Sequence, residues 1–383
     1  MIMATDNKNK VLNVPNLRFP EFTEEWKKTK IGDITSKVGS GVTPKGGSAV
    51  YKTSGHLFIR SQNVGNGCFL LDDVAYIDEA THKKQINTEL KDGDVLLNIT
   101  GASIGRTTIV NKNVEGGNVN QHVCIIRLLE DYSPNYICNY LLSYGGQKQI
   151  DSFQTGGNRE GLNFEQIRSI KFFIPSFREQ SKIASLLSLL EERIATQNKI
   201  IEQLQSLIKG IVVSITTETP NTRIDKCLVC HSSTLQENHI EDFGDFPVYG
   251  ANGICGYTVN ADYNEPAILI VKDGSGVGNI RFVNGKYSVI GTQNILTPQN
   301  RFCLKYIFYC LKAFNFMPYK TGMAIPHIYF KDYGKAQIYC PNFEQQVKIA
   351  FQIDLLESKI EIETQLLNKY EEQKKFLLSN MFI

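Results

Sequence analysis

At 383 residues, with a formal net charge of +2, 42% hydrophobic and 21% charged residues, the chain is long enough for two or three domains with sizeable cores. That balance excludes a uniformly basic protein that coats DNA, and a nucleic-acid partner then requires positive charge concentrated on one face. No apolar run approaches the ~18 residues of a membrane span.

Residues 1–22 read as a polar leader with Pro15 and Pro20 and no signal-like apolar core, and a cytoplasmic protein is expected. Trp26, the single tryptophan, reads as a packing anchor. From 23 to 174 short apolar runs are broken by Gly, Asn and Asp. The segments 56–60, 93–99, 107–110 and 122–127 read as strands, and Ser133-Pro134 opens a helical stretch over 135–150. This first domain is α+β with a strand-rich core. A long helix is predicted over 175–216. The segment 217–340 repeats the plan in shorter form, with a strand at 267–271, a glycine loop at 273–278, a strand at 280–283 ending in an Asn284-Gly285 turn, a counterpart of residues 120–123 at 291–295, and a helix over 302–314. A second long helix covers 341–383. The nine cysteines are scattered and read as reduced thiols. Cys227-Leu-Val-Cys230-His231 lacks a second ligand pair and reads as coincidence.

The two long helices are copies of each other. Pro175, Phe177, Gln180, Lys182, Ile183 and Ala184 recur as Pro341, Phe343, Gln346, Lys348, Ile349 and Ala350 at a constant offset of 166 (341 minus 175). A proline suits a helix start, where φ is already set and no donor is needed. The first copy carries a heptad seam at Ile183, Leu187, Leu190, Ile194, Gln197, Ile201, Leu204, Ile208 and Ile211. The second carries Ile349, Ile353, Leu356, Ile360, Glu363, Leu367, Tyr370 and Leu377, with Lys374 weakening its end. At 1.5 Å per residue each helix is about 60 Å long. One seam needs a partner, and each helix is the obvious partner of the other. Gln197 and Glu363 sit at the centres of their seams and would meet in an antiparallel pair or in an in-register parallel one. Such a polar layer sets register at a cost in stability.

Catalytic signatures are missing. No GxxxxGK[ST] occurs, and the Asp273–Gly278 glycines lead into a strand, so they make a tight loop and no dinucleotide site. No two prolines are adjacent, which removes the Asn/Asp-Pro-Pro-Tyr/Phe motif of amino-methyltransferases, and the six histidines form no triad or metal cluster. What remains is a set of polar and basic loop residues suited to base edges and phosphates. In the first domain these are Arg60, Gln62, Asn63, Asn98, Thr100, Ser103, Arg106, Asn120, Gln121, Asn158 and Arg159. In the second they are Lys272, Ser275, Asn279, Arg281, Gln293, Asn294, Lys320 and His327.

The leader Pro15-Asn-Leu-Arg-Phe-Pro20-Glu-Phe-Thr-Glu-Glu-Trp26 with Ile31-Gly32-Asp33-Ile34, and the duplicated helix openings at Pro175 and Pro341, resemble the specificity subunit of type I restriction–modification systems over nearly the whole chain. The resemblance implies two target recognition domains joined by an antiparallel coiled-coil spacer, each domain reading one half of a split double-stranded DNA site through the major groove. It implies two modification (methyltransferase) subunits docked on the helices, and restriction subunits that bring ATP-driven translocation and cleavage. The chain itself would then be non-catalytic and without a cofactor, one subunit of a restriction endonuclease and adenine-N6 methyltransferase complex. Residues 323–328 differ from 157–162, which implies two different half-sites. The competing readings are a stand-alone methyltransferase or nuclease, which the missing motifs oppose, and a tandem-domain scaffold binding DNA, protein or glycan.

Overall fold

The computed structural model describes residues 2–3, 13–154, 161–236, 240–299, 301–323 and 325–383. They divide into two compact units, Met1–Thr196 with Leu366–Ile383, and Gln197–Gln365.

In the first unit the apolar runs become strands β1 (Lys27–Lys30), β2 (Thr35–Ser40), β3 (His56–Ile59), β4 (Ala75–Ile77), β5 (Val95–Asn98), β6 (Thr107–Ile109), β7 (Asn118–Val119), β8 (Val123–Leu128) and β9 (Lys171–Ile174). The main sheet has the order β2-β8-β5-β6 and is antiparallel throughout. A smaller sheet, β4-β3-β7, contains a parallel β3–β7 pair, and β1 pairs with β9. Strand β5 is buried at every position, which explains its lack of polar alternation: both faces of the main sheet are covered. Val95 and Leu97 face one core with helix α1 (Pro134–Leu142), while Leu96 faces a second core with Ile59 and Val119 of the smaller sheet.

The helix expected over 135–150 is broken into α1 and α2 (Tyr144–Ser152). Ser143 sits between them in an extended conformation and accepts from the amide of Gly146 at 3.3 Å, capping the second helix. A Cβ on Gly146 would lie 2.3 Å from the Tyr140 carbonyl oxygen, so only glycine lets the chain turn this tightly.

The second unit repeats this topology strand for strand. Its strands are β10 (Thr222–Arg223), β11 (Leu228–Ser232), β12 (Phe246–Gly250), β13 (Gly253–Thr258), β14 (Ala267–Val271), β15 (Ile280–Val283), β16 (Ser288–Val289), β17 (Gln293–Pro298) and β18 (Gln337–Ile338). The main sheet runs β11-β17-β14-β15, the smaller one β13-β12-β16 with a parallel β12–β16 pair, and β10 pairs with β18. Ile268 and Ile270 face the core of helix α4 (Leu304–Lys312), and Ala267 and Leu269 face Tyr287 and Val289.

The two long helices are α3 (Phe177–Thr216) and α5 (Phe343–Asn380). Each starts two residues after its proline, so the prolines stand outside the first turn. At the second opening Asn342 caps instead, accepting from the Gln345 amide at 2.9 Å. Within each unit the segments of the two helices run antiparallel, which decides between the two arrangements left open by the sequence. In the first unit Ile183, Leu187 and Leu190 share a core with Leu377, Met381 and Phe382, and Lys374 pairs with Glu191 at 2.8 Å. The lysine that interrupts the seam is thus charge-matched. In the second unit Ile208, Ile211 and Ile215 pack with Ile349 and Ile353, and Gln197 donates to the carboxylate and the carbonyl (3.1 Å) of Glu363. Ile194, Ile201, Leu356, Ile360 and Leu367 are half-buried, and Leu204 is buried.

The glutamine repeated in both helix openings has one job in both units. Gln180 accepts from the amide of Ser133, the residue capping α1, at 3.0 Å and donates to the Pro175 carbonyl at 3.0 Å. Gln346 does the same with Cys303, at the N-cap position of α4, and with Pro341, at 3.0 and 2.7 Å. Both glutamines are buried. Each therefore satisfies a helix-terminal donor that would otherwise be orphaned.

Candidate nucleic-acid interface

Beyond β5 of the first unit and β14 of the second, the chain forms a glycine loop that is clasped by a later segment in the same register. In the first unit Thr100 bridges to Gly161, and the Leu162 amide donates to the Ile99 carbonyl at 2.8 Å. In the second, Asp273 bridges to His327, and the Ile328 amide donates to the Lys272 carbonyl at 2.9 Å. There the clasp is tighter. Thr321 and His327 exchange both backbone hydrogen bonds, and the Gly274 amide donates to the Pro326 carbonyl at 3.0 Å. Gly274 and Gly322 have φ of +96° and +87°, in the region L side chains avoid.

The first clasp gathers Thr100, Gln121 and Ser103 but not as isolated side chains. Thr100 Oγ1 meets His122 Nδ1 at 2.6 Å, Gln121 Nε2 meets His122 Nε2 at 3.1 Å, and Gln121 Oε1 accepts from the Thr43 amide at 3.0 Å. The chain Thr100–His122–Gln121–Thr43 thus fixes Gln121, which is exposed. Thr43 and His122 were missed as site residues. His122 adjoined the predicted Asn120 and Gln121, whereas Thr43 lies far upstream in a loop that no local pattern marks.

Several predicted readers instead support loops. Asn98 is fully buried and donates to Ser61 O and Ser103 Oγ. Asn63 is buried and donates to the carbonyls of Leu70 and Asp73. Asn120 accepts from the His122 amide. Arg60 pairs with Asp73 at 3.3 Å and lies over the Tyr51 ring, and Gln62 donates to Asp73 at 2.7 Å. Arg106 is exposed, and its guanidinium has no hydrogen bond or ion pair among the described residues. Asn158 and Arg159 lie outside the described residues.

In the second unit Gln293 and Asn294 are buried, with Asn294 accepting from Ser232 at 3.0 Å. Ser275 and Asn279 are exposed on the glycine loop, and Arg281 lies over the Tyr249 ring. Lys272 and Lys320 are half-exposed, and neither has an ion-pair partner among the described residues. His327 Nδ1 is 2.7 Å from Asp273 Oδ1. Elsewhere, Cys227 Sγ faces Cys340 Sγ at 3.8 Å and His231 Nε2 bonds Thr297, so the CxxCH residues turn to different partners. Among the described residues no group of three metal-ligating side chains converges, and no helix is long and apolar enough to cross a membrane.

A family model described as the type I restriction modification DNA specificity domain matches residues 23–206 and again 229–372. A Methanocaldococcus jannaschii protein assigned as the type I restriction enzyme MjaX specificity subunit is 21% identical, over 96% of this chain and 95% of its own. A Mycoplasma genitalium protein assigned as a type I specificity subunit is 23% identical, over 74% of this chain and 79% of its own. The fold is shared with the crystal structure of the S subunit of a type I restriction–modification system from M. genitalium. That structure has a TM-score of 0.65 and 16% identity, with 97% of this chain and 99% of that one covered.

Proposed function

The chain belongs to the type I restriction modification DNA specificity family, and from that premise we propose that it is the address-reading, non-catalytic subunit of a complex that methylates and cleaves DNA. Residues 23–174 and 217–340 are the two target recognition domains, with 1–22 as leader and 175–216 and 341–383 as spacer helices. Each domain reads one half of a split site in double-stranded DNA. The reading is carried by one observation, the same two-loop clasp in both units with different side chains on it. Gln121, Ser103 and Arg106 face DNA in the first domain, and Lys272, Ser275, Asn279, Arg281, Lys320 and His327 in the second. The unpaired Lys272, Lys320 and Arg106 contact phosphate, whose neutralisation releases counterions, while Gln121 and His327 meet base edges. The buried Asn63, Asn98, Gln293 and Asn294 shape the loops and touch no base.

Two methyltransferase subunits dock on the helices, and restriction subunits join them in the cytoplasm; this chain brings no cofactor. Docking at two like sites is supported by apolar residues exposed at repeat-equivalent positions, Phe177 and Phe343 (54% and 52%) and Leu189 and Leu355 (59% and 54%). Scattered exposed apolars are ordinary, but the same pair at the same offset is what two copies of one partner require.

The test is methylation mapping. The chain is expressed with its modification subunit in a host lacking DNA methylation, and modified adenines are read genome-wide. We expect a two-part motif with an unread spacer, altered on one side only when residues 23–174 are exchanged for those of a relative. A continuous motif, or an exchange that alters both halves, overturns the assignment.

A further inference from the structure

We propose that His327, held in one tautomer by Asp273, is the hydrogen-bond acceptor by which the second domain reads an exocyclic amino group in the major groove; this rests on the DNA-reading function above. An ionised carboxylate only accepts, so the 2.7 Å contact with Asp273 Oδ1 places a ring proton on Nδ1. In the neutral ring the lone pair is then on Nε2, which has no partner among the described residues. The ring is fixed as well as oriented. The His327 backbone is bonded to Thr321 in both directions, the neighbouring Pro326 carbonyl takes the Gly274 amide, and the ring stacks near Tyr329 at 6.4 Å. At 34% side-chain exposure the imidazole is partly open to solvent.

The first unit gives the contrast. There the imidazole of His122 also has its Nδ1 bonded to the clasp residue, Thr100, but its Nε2 is occupied by Gln121. What the first clasp offers outward is the remaining amide N–H of Gln121, a donor. The two clasps therefore present opposite hydrogen-bond characters, from different segments of the repeat. In the major groove every base pair has an amino edge (adenine N6 or cytosine N4) and acceptor edges. A fixed acceptor accordingly fixes which strand carries the amino base. Asp273 acts as a positioning residue, since it touches the ring and no base.

The experiment maps methylation motifs for the wild type, His327→Ala and Asp273→Asn, each co-expressed with the modification subunit. His327→Ala is expected to make one position of one half-site degenerate, a loss of roughly tenfold in base preference, while the other half-site stays intact. Asp273→Asn can donate to Nδ1 and admit the other tautomer, so it is expected to accept the reversed base pair at that same position. Motifs identical to wild type in both variants overturn the inference. Should His327→Ala lose modification altogether, Asp273→Asn, which keeps the ring, decides, and an unchanged motif there overturns it. A wild-type chain that yields no bipartite motif instead overturns the DNA-reading function itself, so the two failures are distinguishable.

Discussion

Within the shared helix opening the two units differ at one telling repeat position, occupied by Glu179 in the first and Gln345 in the second. Glu179 is 1% exposed and accepts from Arg18 at 2.7 and 2.8 Å and from Trp26 Nε1 at 3.3 Å. Gln345 is exposed. One residue later Gln180 and Gln346 perform identical locks. The helix opening is therefore a shared device for seating a domain on its helix. In one copy that device carries a carboxylate, which fastens Arg18 of the segment preceding the domain.

Breaking that difference is expected to give the largest effect. Glu179→Ala leaves Arg18, 11% exposed in its side chain, buried without its counter-charge, and about 3–5 kcal/mol of first-unit stability should be lost. Gln345→Ala should cost within about 0.5 kcal/mol. Urea unfolding followed by Trp26 fluorescence reads the first unit, and amide hydrogen exchange reads both. Equal shifts in the two variants would remove the asymmetry.

The shared lock predicts a matched pair. Gln180→Leu and Gln346→Leu each leave a buried amide and a proline carbonyl unpaired, and each should destabilise its own unit by about 1–3 kcal/mol. Hydrogen exchange should show early opening of Pro134–Leu142 in one variant and of Leu304–Lys312 in the other. An effect in only one unit would show that the repeated glutamine is not doing the same job twice.

The smallest effect concerns the polar layer of the second unit. Lys359, first, and Gln197 hold the Glu363 carboxyl below its ordinary value of 4.5. A carboxyl lowered by folding contributes stability above its unfolded pKa, and loses it as pH falls through the folded one. Melting temperature should therefore fall below pH 4.5 slightly more steeply in the wild type than in Glu363→Gln. Because Lys359, the first of these partners, is exposed to solvent, the difference should be small.

Much of this architecture was legible because it is written in periodicities. The heptad seam, the constant offset between helix openings and the Gln197–Glu363 layer each fix several residues at once, and β5 and β14 stand out as apolar runs. The break at Ser143 was not legible, since serine and glycine are tolerated within helices and only the close approach at Gly146 makes the turn. The clasps were legible only by half. Glycine loops marked one side, but partnering with Gly161 and His327 depends on tertiary contacts that spacing does not encode. Polarity alone also failed to separate Asn98, buried beneath its loop, from Gln121, held outside it.

The burial of Leu377, Met381 and Phe382 in the core that includes Ile183 and Leu187 has a consequence for synthesis. When Thr196 leaves the ribosome, the first unit still lacks the segment from Leu366 onward. At ~5–20 residues per second, its apolar face waits on the order of ten to thirty seconds for that segment. During that wait the second unit is made, between the two halves of the first, and α3 trails an unmatched stripe. The nascent chain is therefore most in need of a chaperone after its first domain has been translated.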